Sequence, residues 1–93
     1  MVFEELFDLI KERKQKLPKG SYVASLFRDG TDKIAQKIGE EAIETVIAAK
    51  NKDKKAQIFE ITDLWFHLMV LMVELEISFS DIDKELKRRR KSG

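Results

Sequence analysis

The chain has 93 residues, with 18 Lys and Arg against 17 Asp and Glu and a formal net charge of +1. That length suits one small domain over residues 1–93, and the near-neutral balance calls for neither nucleic acid nor membrane as a partner. No cysteine, one proline, four glycines and a helical apolar spacing exclude a disulfide framework and predict an all-α fold, a bundle of about four helices.

The N-terminal stretch MVFEELFDLIKERK is acidic before it is basic and lacks a long apolar core, so it is not a secretory signal. A cytoplasmic location is expected, in keeping with the absence of cysteine. The first helix is predicted from Val2 to Gln15. Phe3, Leu6, Phe7 and Ile10 make its apolar stripe, and Pro18 and Gly20 end it. Ser21 to Phe27 predicts a short helical segment closed by Gly30, which either connects or lines a substrate site.

A long helix follows, from Thr31 or Asp32 as cap to about Lys50. Its wheel places Ile34, Ile38, Ala42, Val46 and Ala49 on a buried stripe, with Lys33, Lys37, Glu40 and Glu44 on another face and Glu41 between the two. Asn51 to Lys54 predicts a turn, and the next helix runs from about Lys54 to Leu75. Its Leu64–Val73 run is apolar nearly all round, which predicts a central helix covered by the domain or by a second copy. The run is interrupted by His67 and is about half of the roughly 20 residues that span a bilayer. A last helix is predicted from Ser80, with Asp81 and Asp83 at its positive end and the basic run Lys84–Lys91 toward its negative end. A chain this short buries a modest core, so a homodimer is expected.

The most informative residues lie across the predicted hairpin. Glu41 and Glu44 are three apart on one helix, and Glu60 and Asp63 are three apart on the next. Counted outward from the turn, Glu44 is level with Glu60, Glu41 with Asp63, and Lys37 with His67. Four carboxylates at one height repel, and burial sharpens the repulsion. A divalent cation relieves it, and hard oxygen donors point to magnesium, with manganese possible, rather than zinc. Lys33 and Lys37 have two readings, ordinary helix pairing or phosphate contact. His67, one turn beyond Asp63, reads as a core histidine that supports the acids from behind.

The pairs Glu41-x-x-Glu44 and Glu60-x-x-Asp63 resemble the metal-binding motif of the MazG-like all-α nucleoside-triphosphate pyrophosphohydrolases. Within that superfamily, the strings Ser21–Phe27, Asp32–Lys50 and Glu60–Leu68 are most similar to phosphoribosyl-ATP pyrophosphohydrolase of histidine biosynthesis. The likeness covers nearly the whole chain. Phe66 departs from it, standing where many members have tyrosine, which makes this a packing position.

The resemblance implies magnesium-dependent hydrolysis of phosphoribosyl-ATP to phosphoribosyl-AMP and pyrophosphate, the second step of histidine biosynthesis. It implies Glu41, Glu44, Glu60 and Asp63 as metal ligands and Glu40 as the group that takes a proton from the attacking water. Lys33 and Lys37 would bind phosphates, and Ser21 and Tyr22 would touch the phosphoribosyl or base end. The cyclohydrolase to which such domains are often fused does not appear in the chain, so a stand-alone enzyme is expected, and the resemblance implies a dimer in which two such hairpins complete a four-helix core. The rival readings are a housecleaning enzyme acting on dUTP, dCTP or damaged nucleotides, and a helical adaptor without activity. A di-iron bundle would need Glu-x-x-His twice, which the chain lacks.

Overall fold

The computed structural model describes Val2 to Gly93, with Ser92 as backbone only. Five helices follow in order: α1 (Val2–Lys16), α2 (Tyr22–Asp29), α3 (Thr31–Lys50), α4 (Lys54–Glu74) and α5 (Phe79–Ser92). No strand occurs among the described residues. The all-α expectation holds, with the short segment after Gly20 as a full helix.

Local chemistry sets the boundaries. Ser21 caps α2 by accepting from the Ala24 N–H. Asp53 caps α4 by accepting from the Ala56 N–H. Ser78 and Asp81 form a reciprocal capping box, so α5 starts at Phe79 rather than Ser80. Neither Thr31 nor Asp32 caps α3; Gly30 does, with no side-chain bond. Gly30 has φ 96° and ψ −177°, a backbone conformation that L side chains rarely adopt, and this lets α2 and α3 follow each other with one residue between them. Thr31 instead donates its hydroxyl to Glu74 Oε2 at 2.8 Å, and Lys14 lies 3.4 Å from Glu74 Oε1. The ends of α1, α3 and α4 thus meet at one carboxylate.

The α3–α4 hairpin is the spine, packed along its length, with α1 and α2 laid over one end. The core is Phe7, Ile10, Leu26, Ile34, Met69, Val70 and Val73, flanked by Leu6, Val23, Phe27, Ile38 and Phe66. The covered stripe of α3 differs from the expected one. Ile34, Glu41 and Ala48 are buried, whereas Val46 and Ala49 are exposed. The true stripe repeats every seven residues, with Glu41 taking its middle place. Nor is α4 covered all round, since Trp65 is 50% and Ile61 45% exposed. By length and composition alone α4 is apolar enough to cross a membrane, but it carries Glu60 and Asp63 on the side that faces α3. α5 has no buried residue among those described and rests on the body through Phe79, whose ring lies 4.5 Å from that of Phe7.

Candidate metal centre

The hairpin brings its acids together at the heights expected. Glu41 of α3 and Asp63 of α4 bring carboxylate oxygens within 4.8 Å of each other, and Glu44 is the largest charged influence on Glu60. Between these two levels sits Thr45. Its hydroxyl donates to the Glu41 carbonyl at 2.7 Å in its own helix, and also lies 3.2 Å from the Glu60 carbonyl across the interface. Glu41, Asp63 and His67 each offer a ligand atom within 4.8 Å of the others. Glu44 and Glu60 lie one helical turn nearer the α3–α4 turn, outside that closest group.

Electrostatics record the crowding. Burial, then the neighbouring Asp63 carboxyl, push the Glu41 carboxyl up to about 7. Glu60 is also raised, by burial and then by Glu44 and Asp63. Its Oε2 is buried without a hydrogen-bond partner. A buried carboxylate oxygen with no donor, beside an acid that holds its proton to neutral pH, is what a cation site looks like before its charge is supplied. The donor set is mainly carboxylate oxygen, so the residues present fit a hard divalent ion.

His67 is 3% exposed and uses both ring nitrogens. Its Nδ1 lies 2.8 Å from the Asp63 carbonyl and its Nε2 lies 2.9 Å from the Tyr22 hydroxyl. A proton on Nδ1 satisfies both bonds, donating to the carbonyl while Nε2 accepts from tyrosine. The expected support of Asp63 is therefore made through its backbone; its Oδ1 lies 3.9 Å from Nδ1.

Lys37 stands beside the acids, 3.4 Å from Glu40 and 3.8 Å from Glu41. Lys33 is exposed, and its charge helps to lower the Glu40 carboxyl. Glu40 is exposed and lies outside the closest group. Gln36, at 3.0 Å, and Lys37 hold its carboxyl below the usual range. The Ser21 hydroxyl is occupied as the α2 cap, whereas the Tyr22 ring is half exposed at the edge of the site. Burial raises the Tyr22 phenol, which Lys37 partly offsets. Thr45 escapes sequence reading because a lone threonine within a helix carries no motif.

A family profile described as phosphoribosyl-ATP pyrophosphohydrolase matches residues 3–90. Among curated relatives, the phosphoribosyl-ATP pyrophosphatase of Leptospira biflexa is 59% identical over 85 residues, covering 91% of this chain and 92% of the relative. The phosphoribosyl-ATP pyrophosphatase of Clostridium botulinum strain Hall is 53% identical over 89 residues, 96% of this chain and 81% of the relative. A histidine biosynthesis bifunctional protein of Caldanaerobacter subterraneus is 49% identical over 90 residues, 97% of this chain but 44% of that longer protein.

Proposed function

The chain belongs to the phosphoribosyl-ATP pyrophosphohydrolase family, and we propose that the acids between α3 and α4 are the centre at which it works. It is an enzyme that hydrolyses phosphoribosyl-ATP in histidine biosynthesis. The products are phosphoribosyl-AMP and pyrophosphate. The observation that carries the site assignment is the convergence of Glu41 and Asp63, with Glu60 Oε2 unpartnered one turn away.

Glu41, Glu44, Glu60 and Asp63 hold magnesium, with manganese as a substitute. A bound divalent ion would neutralise phosphate oxygens and lower the pKa of a water bound to it. The protein's own part is positional, as in other phosphoryl transfers. Thr45 keeps the two helices at a fixed spacing, and His67 holds the Asp63 backbone. Lys37 already pairs with the acids and can turn to a phosphate; Lys33 supplies charge further out. Glu40, exposed beside Glu41, takes the proton of the attacking water, and its contacts with Lys37 and Gln36, which lower its basicity, have to loosen for it to do so. Tyr22 meets the nucleoside side of the substrate and Ser21 fixes the helix that presents it.

The protein works as a cytoplasmic homodimer, a reading supported by the apolar residues left exposed on the hairpin, among them Val46, Ile61 and Trp65. The experiment is pyrophosphate release, with magnesium, from phosphoribosyl-ATP, ATP, dUTP and dCTP in parallel. Preference for phosphoribosyl-ATP is expected. Preference for a free deoxynucleotide would move the chain to the housecleaning branch.

A further inference from the structure

One cleft shares a residue with the acids. It has a volume of about 660 Å³ and is lined by Lys55, Ile58, Phe59, Thr62, Asp63 and Phe66 of α4, with Tyr22 of α2 beside them. Three other clefts, near α1 and α5, touch none of Glu41, Glu44, Glu60 or Asp63. Apart from Tyr22 of α2, the walls belong to one stripe of α4. Further along, that stripe is covered by the core at Met69, Val70 and Val73; nearer the turn it runs on past Tyr22 uncovered. Its size falls in the range of about 300–1,000 Å³ usual for small-molecule sites.

From Asp63 toward the α3–α4 turn, the lining runs from the acid to Phe59 and Ile58 and then to the cation Lys55, with Phe66 on the other side of Asp63. Lys55 and Asp63 are eight residues apart, about 12 Å along a helix. Phosphoribosyl-ATP has a matching order: a triphosphate, a purine, then a second ribosyl phosphate on the far side of the purine. We infer that this cleft binds the purine against Phe59 and Ile58, between Asp63 and Lys55, with Lys55 receiving the phosphate of the extra ribosyl arm, so that it is the element that selects phosphoribosyl-ATP over ATP. This rests on the reading above that Asp63 is at the triphosphate end. Aromatic faces stack on a base whatever its edge, so the aromatic walls supply affinity and Lys55 supplies the discrimination.

The test is calorimetric binding of phosphoribosyl-AMP and of AMP to the magnesium-loaded protein. Phe59 is 65% exposed, so its replacement leaves the core intact. Phe59→Ala should weaken both ligands at least fivefold and Phe59→Trp should restore them. Lys55→Ala should weaken phosphoribosyl-AMP at least fivefold and leave AMP as before. Unaltered affinity for phosphoribosyl-AMP in both alanine variants would overturn the proposal. So would a change of oligomeric size in Phe59→Ala with AMP affinity retained, which would make the cleft a contact between copies. The two readings fail separately. Loss of turnover in Asp63→Ala with parental ligand binding in Phe59→Ala and Lys55→Ala defeats the cleft alone. Parental turnover in Asp63→Ala with weakened binding in those variants defeats the metal assignment alone.

Discussion

Glu41 occupies the place on α3 where the apolar stripe would put an isoleucine or alanine, and that misplacement accounts for the site's electrostatics. The spacing of Glu41, Glu44, Glu60 and Asp63 was legible in the sequence because hairpin arithmetic needs only the turn. That Glu41 is the most buried of them was not legible, since the wheel placed it at the edge of the covered face rather than within it. Raising its carboxyl to about 7, from an ordinary 4.5, has a consequence for the metal-free protein. Below the ordinary value both folded and unfolded chains hold the proton. Between about 4.5 and 7 the unfolded chain releases it while the folded chain keeps it, so stability falls as pH rises through that window and levels above it. Thermal melts of metal-free protein should show a lower Tm at pH 7.5 than at pH 5, and Glu41→Gln should flatten that dependence. A domain of this size moves about 4–8 °C per kcal/mol, so the trend is measurable. An unchanged slope in the variant would place the titrating group elsewhere.

At the scale of elements, two small residues hold the hairpin and its cover in place. Gly30 links α2 to α3 with φ 96°, and a Cβ there would meet nothing within 4 Å. Gly30→Ala therefore costs backbone strain alone, about 1–3 kcal/mol, to be read from chemical denaturation; a neutral result would show that the link can relax. Thr45 joins the carbonyls of Glu41 and Glu60. Thr45→Val keeps its shape, removes the bond and should cost about 1 kcal/mol, with Thr45→Ser retaining most of the stability. Weaker magnesium binding in the valine variant is expected as well, because the bond spans the two acid levels. Helix existence was readable from apolar spacing and from Pro18, Gly20 and Gly30. The start of α3 at Thr31 was readable too, but its cap and the start of α5 were not, because Thr31, Asp32 and Ser80 are all competent caps in sequence, and the choice is made by Gly30's conformation and by the Ser78–Asp81 pair.

For the molecule as a whole, the half of the hairpin that α1 and α2 do not cover is the main unfinished surface. The all-round apolar run Leu64–Val73 suggested a helix covered by the domain or by a second copy, and a single chain has too little material to wrap it alone. Val46, Ile61, Trp65 and Leu68 are each 39–56% exposed. A dimer is the expected remedy, and light scattering should give twice the mass of one chain at micromolar concentration, with Trp65→Lys shifting it toward one chain. A stable, well-folded monomer of the parent would refute it. The acids between α3 and α4 are tested most directly by pyrophosphate release from phosphoribosyl-ATP as magnesium is titrated, in the parent and in Asp63→Ala. The parent should be inactive without metal and saturate with it, while Asp63→Ala should stay below about one per cent of the parent rate at every concentration with its helicity intact. Parental turnover by Asp63→Ala at saturating magnesium, or full activity of the parent after metal removal, would contradict the assignment.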